Sequence, residues 1–182
     1  EQQIQQLPDS SVITLRPDAT LVYAESFDGK TREVKLKGSA FFEITKNPER
    51  LFIIDLDEVK VVVLCTFFYI DAAENAPEIE VGVESGLVAV INTAKNDTVR
   101  LAKEDKVIFQ RSTGQFKVVE RVDINSIFWK TNTLIFKNEN LSEVINTLKE
   151  KYKVSIGVTD EAILNCRVSG RFKDETVANI LA

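Results

Sequence analysis

From Val12 to about Val122, β-branched and aromatic residues alternate with polar ones in short runs, and no other feature limits the fold as much. Eleven runs read as strands: VITLR, TLVYA, REVKLKG, AFFEIT, LFIID, EVKVVVL, EIEVGV, LVAVIN, TVRLA, KVIFQ and FKVVE. A period of two places alternate side chains on opposite faces of a half-buried sheet. Between the runs, PDAT, FDGK, KNPER, ESG, KND and STGQ supply the Asp, Asn, Gly and Pro that set turn dihedrals. Strands every ~8 to 12 residues fit a sandwich, a barrel or a solenoid-like stack of many short antiparallel strands, and no exact repeat selects the solenoid. Residues 1–122 are therefore expected to form an all-β domain.

Beyond Val122 the period changes. In NLSEVINTLKEKY, Leu141, Val144, Ile145, Leu148 and Tyr152 make one apolar stripe, with Glu143, Asn146, Lys149, Glu150 and Lys151 opposite. That is an amphipathic helix. Asn140, with Glu143 three residues on, is placed to cap its first amides. Flanking runs TLIFK (Thr133 to Lys137) and VSIGV (Val154 to Val158) predict a β-α-β unit, followed by a strand in CRVSGRF and a new helix start at DETVANILA. Residues 123–182 thus read as a small α+β domain, and the stop at Ala182, after about two turns of helix, as a truncation.

Composition narrows the functions. The chain has 182 residues, 44% of them hydrophobic, enough for a real core. A net charge of -5, with no basic cluster interleaved with aromatics, argues against nucleic acid as a partner. The longest apolar run, Val59 to Ile70, is broken by Lys60 and Thr66 and falls short of the ~20 residues a membrane helix needs. There is no Met, and no signal-peptide core follows Glu1, so the N-terminus reads as a processing boundary with a targeting segment or membrane anchor upstream.

The absence of His and the separation of Cys65 from Cys166 exclude a zinc site. No cofactor is expected, and Cys65, inside a strand-like run, is expected to be a buried free thiol rather than half of an interdomain disulfide with Cys166. Catalysis would rest on Glu43, Asp55, Asp57 and Glu58, whose alternation with hydrophobes instead suits the polar faces of strands. Asp55 and Asp57 lack a third Ca²⁺ ligand at EF-hand spacing. GxGxxG, P-loop and GxSxG motifs are missing, so the expectation is a non-enzymatic scaffold that binds other proteins.

A resemblance sharpens this. FDGKTREVKLKGSAFFEITKNPERLFI resembles the signature of FecR-type anti-sigma-factor regulators, with Arg32, Val34, Leu36, Gly38, Ala40, Phe42, Glu43, Ile44 and Phe52 in matching order. VLCTFFYI is similar to the family's Val-Leu-Gly-Thr-x-Phe-x-Val segment, and VGVESGLVAVI to its acidic-x-Gly-x-Val turn. FWKTNTLIFKNENLSEVINTLKEKYKVSI and VSGRFKDETVANIL resemble its C-terminal domain, through Trp129, Leu134, Phe136, Asn138, Leu141, Val144, Leu148, Tyr152, Val154, Ile156, Gly170, Phe172 and Leu181. Cys65 and Asn132 stand where the family usually has Gly, and Leu51 and Asn140 where Pro is frequent.

The resemblance implies the periplasmic region of a single-pass inner-membrane anti-sigma factor, whose transmembrane helix and cytoplasmic segment for an ECF sigma factor lie outside this chain. It also implies a second domain similar to the secretin/TonB short N-terminal fold, meeting the signalling domain of a TonB-dependent outer-membrane transducer. An open strand edge is the expected means, with Val168, Gly170 and Phe172 on the strand Arg167 to Lys173 as first candidates, and Leu134 and Phe136 next. The alternative is a carbohydrate-binding β-domain without a signalling role, which needs exposed aromatics on one face.

Overall fold

The computed structural model describes residues 2–120 and 124–182, and its chain divides into two units, 1–122 and 123–182. The first holds β1 (Gln3–Gln6), β2 (Val12–Leu15), β3 (Thr20–Tyr23), β4 (Arg32–Glu43), β5 (Phe52–Asp55), β6 (Val59–Val63), β7 (Phe67–Ala72), β8 (Glu78–Ser85), β9 (Val88–Asn92), β10 (Thr98–Leu101), β11 (Asp105–Gln110) and β12 (Gln115–Glu120).

The longest of these strands, β4, organises the unit. Sequence alone splits it into REVKLKG and AFFEIT, but it is one strand. Up to Lys37 it lies between β3 and, in parallel, β5; from Gly38 onward its neighbours are β2 and β7. One strand thereby belongs to two layers, β3-β4-β5-β6-β9-β10 and β1-β2-β4-β7-β8-β11-β12. The junction requires glycine. Gly38 has φ +91°, and a Cβ there would stand 2.8 Å from the Ala19 Cα.

The fold class is thus a mainly β, two-layer sheet, drawn toward a barrel where β10 and β11, joined by a short turn, come close without pairing. Alternate residues of every central strand point between the layers: Val34, Leu36 and Phe42 from β4, Phe52 and Ile54 from β5, Val81 and Val83 from β8. Phe42 and Phe68 stack with ring centroids 4.9 Å apart. Two strands escaped the period-of-two reading. β1 has a single apolar residue in QIQQ, and β7 buries both faces, with Phe68 and Ile70 inward and Tyr69 covered on the other side.

Cys65 departs from expectation. It lies in the turn between β6 and β7, exposed and free, as is Cys166. The next inward position after Val63 is taken by Thr66, which is buried and donates its hydroxyl to the Leu87 carbonyl at 3.1 Å.

Deep at one end of the sandwich sits a charge. Arg32, fully buried, donates through Nη1 to Asp9 Oδ2 (2.6 Å) and the Thr45 carbonyl (2.9 Å). Its Nε and Nη2 reach the Arg50 carbonyl (3.2 and 2.9 Å), Nη2 also approaches Leu64 O, and the guanidinium lies 5.3 Å from the Phe52 ring centre. Asp9 is held in turn by the amide and hydroxyl of Ser11, whose Oγ accepts from the Thr45 amide. Three connections are tied to one side chain: β1–β2, β4–β5 and β6–β7.

The second unit opens with a 3-10 turn (Ile124–Ile127) and α1 (Phe128–Thr131), continues with β13 (Thr133–Asn140), α2 (Leu141–Tyr152), a 3-10 turn (Glu161–Asn165) and β14 (Arg167–Lys173), and ends with α3 (Val177–Ile180). The β-α-β order is present, yet its second strand is β14, antiparallel to β13. Val154 to Val158, expected as a strand, is unpaired among the described residues; without a neighbouring strand its amides have no ladder to join, and it contributes only Ile156 to the core. The α2 stripe behaves as its spacing predicts: Val144, Ile145 and Leu148 are buried, and Leu141 and Tyr152 partly so.

Asn140 occupies the N-cap position of α2 but makes no side-chain cap bond. The first helical amide, Leu141 N, donates to the Cys166 carbonyl at 2.8 Å, continuing the β13–β14 ladder. Asn132, where a glycine turn is usual, adopts the left-handed conformation (φ 47°, ψ 32°) that asparagine tolerates.

Breaking a buried ion pair by removing one partner costs about 3–5 kcal/mol. Arg32→Met strands Asp9 and three carbonyls at once, so thermal unfolding should shift down by roughly 10 °C. Asp9→Asn, which keeps an acceptor oxygen, should shift it less. Equal, small shifts would show that the cluster is dispensable.

Candidate functional site

The carboxylates that could carry chemistry are occupied elsewhere. Asp57 accepts from Lys35 and Glu58 from Arg111, while an Asp55 oxygen accepts from the Asp57 amide at 2.9 Å. The Lys35 hydrogen bond holds the Asp57 carboxyl below its ordinary 3.8 and raises the ammonium above 10.5. A general acid needs the opposite shift. Among the described residues no group of three or more His, Cys, Asp or Glu is placed to hold a metal, and no helix is long and apolar enough to cross a membrane. Trp129, which a sugar platform would need exposed, is half-buried.

The two-stranded sheet of the second unit is different. Asp174 N donates to Asn132 O at 2.9 Å, extending the register that pairs Thr133 with Lys173. Bonded and non-bonded pairs alternate in an antiparallel ladder. Leu134/Phe172 and Phe136/Gly170 are therefore bonded pairs, and Ile135/Arg171 and Thr133/Lys173 turn their amides away from each other. Past the bulge between Phe136 and Glu139, the Leu141–Cys166 bond fixes the same phase: Val168 faces β13 and Arg167 faces outward.

The outer edge of β13 is closed. Asn125, buried, accepts from Ile135 N at 2.8 Å and donates to Ile135 O at 3.0 Å, as a neighbouring strand would, and Thr133 N reaches Thr131 Oγ1 at 3.3 Å. The outer edge of β14 is open. Arg167, Ser169, Arg171 and Lys173 direct their main-chain amides and carbonyls there, and among the described residues no strand pairs with it. Their side chains are exposed as well.

The five candidate residues take the inward role. Leu134 and Phe136 are fully buried, and Val168 and Phe172 pack partly buried against the same cluster as Phe128, Val144 and Leu148. Gly170 pairs with Phe136, and the Phe172 ring folds over it so closely that a Cβ would stand 2.8 Å from the ring. These residues hold the strand in place, and their neighbours face outward. Tyr152 anchors the far side of the sheet, its hydroxyl donating to Glu175 O at 2.8 Å while burial raises its pKa.

Asn125 and the outward phase of Arg167, Ser169, Arg171 and Lys173 were missed from sequence. The alternation R-V-S-G-R-F-K does mark which side chains are polar, but only the register says which amides are unpaired.

Comparison with known proteins follows the same two units. Residues 1–89 match the family described as FecR protein, and residues 133–182 the one described as FecR, C-terminal. Two crystal structures of a candidate anti-sigma factor from Parabacteroides distasonis ATCC 8503 align with all of this chain and 84% of theirs. One is 23% identical with a TM-score of 0.70 and the other 24% with 0.69, a likeness of fold. No curated protein matches the chain.

Two outcomes test this geometry. Asn125→Leu leaves the half-buried Ile135 amide and carbonyl without partners, and should destabilise the second unit by about 2 kcal/mol in urea unfolding followed by the fluorescence of Trp129, the single tryptophan. Because the folded Asp57 carboxyl titrates below its ordinary value, its contribution exists above pH 3.8 and is lost as pH falls through the depressed folded value. Any stability difference between the parent and Asp57→Asn should shrink in that acid range; a difference that grows there would contradict the Lys35 pairing.

Proposed function

The chain belongs to the FecR family of anti-sigma regulators, and we propose that it is the periplasmic sensing region of a membrane-anchored member. In this reading the second unit binds the signalling domain of a TonB-dependent outer-membrane transducer. Binding is relayed through a transmembrane helix to a cytoplasmic segment that holds an ECF sigma factor.

No bond is made or broken by this chain in that scheme. A loaded transducer shifts an equilibrium between two states of the regulator, and it can shift it only by its difference in affinity for them. The observation that carries the reading is the open β14 edge, which lies within the residues matched as the FecR C-terminal part. An unpaired edge is a ready template for a partner's strand. The first unit, with its sheet crossing from layer to layer at Gly38 and its loops tied to Arg32, serves in this reading as the body that carries the second.

The test is a calorimetric titration of the full chain with the isolated signalling domain of the transducer encoded beside it, with hydrogen exchange read on the complex. Saturable binding with protection falling between residues 133 and 173 is the expected result. No binding, or protection confined to residues 2–120, would contradict it and favour a ligand of the β unit.

A further inference from the structure

We propose that the outward edge of β14 receives one extended strand of the partner protein, and that this strand presents carboxylates at alternate positions. The proposal rests on the regulatory reading above and names the chemistry of its contact.

The polarity of the sheet limits the docking to one side. Asn125 and Thr131 already satisfy the β13 edge at Ile135 and Thr133. An incoming strand can therefore add only beside β14, where outward amides recur every second residue, about 6.8 Å apart. A main-chain ladder there would pair Ser169, Arg171 and Lys173 and leave the β13 bonds of Gly170 and Phe172 untouched.

Charge chooses the partner. The exposed face of this sheet carries Lys137, Arg167, Arg171 and Lys173. Among the described residues none of them has a carboxylate within ion-pair distance; Arg167 reaches only the Asn138 carbonyl, at 2.9 Å. Four unpaired cations on one face stand out in a chain of net charge -5. Side chains of a strand added beside β14 lie next to those of Arg171 and Lys173 on this face, where opposite charges attract and like charges repel. A second copy of this chain, pairing β14 with β14, would bring the cations together, so the same residues that invite an acidic strand disfavour self-association.

The experiment uses the full chain, ¹⁵N-labelled, and two blocked peptides, one alternating Glu with Val and one alternating Lys with Val. The glutamate peptide should slow exchange of the Ser169, Arg171 and Lys173 amides by roughly tenfold, leaving Gly170 and Phe172 unchanged, and the effect should weaken as salt is raised. The lysine peptide should protect none of them. The triple variant Arg167→Glu, Arg171→Glu, Lys173→Glu should exchange these preferences, with the resonances of Leu134 and Phe136 reporting that the unit is still folded.

Equal protection by both peptides, or none by the glutamate peptide, overturns the proposal. If the transducer domain binds while these amides still exchange freely, the edge assignment fails and the regulatory reading stands. Protection by the glutamate peptide without binding of the transducer domain separates the two the other way.

Discussion

The fully buried guanidinium of Arg32 is the interaction on which the β unit depends. A cation removed from water is costly unless every donor finds an acceptor, and here the acceptors come from Asp9, Thr45, Arg50 and Leu64, on three separate connections. Satisfying one side chain therefore fixes how three loops leave the sheet. Arg32 is also the first residue of β4, the strand that joins both layers. Registry at this end and the crossing at Gly38 six residues later are set along the same strand.

The second unit follows another logic. Its core is small, with Leu134, Phe136, Val144 and Leu148 at its centre, and its sheet has two strands among the described residues. A sheet so narrow has two edges and little area behind them. One edge is occupied by the side-chain amide of Asn125, an intramolecular stand-in for a strand, and the other is left to β14. The β unit has edge strands of its own, β1, β3, β10 and β12, but they border a large core, whereas in the second unit an outward edge is half of a two-stranded sheet.

Much of this was legible in the residues, and the failures have physical causes. The alternation in residues 12–122 identified sheet, and the spacing of Val144, Ile145 and Leu148 identified α2, because periodicity is a local property. That REVKLKG and AFFEIT are one strand was not legible, since a change of neighbours at Gly38 leaves the side-chain period intact. The cap expected from Asn140 is not made; Asn140 closes β13, and the amide after it, Leu141 N, is held by Cys166 O. Val154 to Val158 has strand composition, but among the described residues no strand lies beside it. For the candidate site the sequence pointed to β14 and to its inward side chains. Those side chains form the core, and the outward amides between them became visible only through the register fixed by Asn132 and Asp174.

The central claim is that β14 bonds to its partner through its outward main chain. Scalar couplings across hydrogen bonds, measured by NMR on the complex of this chain with its transducer's signalling domain, read those bonds directly. The account predicts couplings from the amides of Ser169, Arg171 or Lys173 to partner carbonyls, with Gly170 and Phe172 still coupled to β13. A tight complex in which none of the outward amides couples to the partner would contradict it.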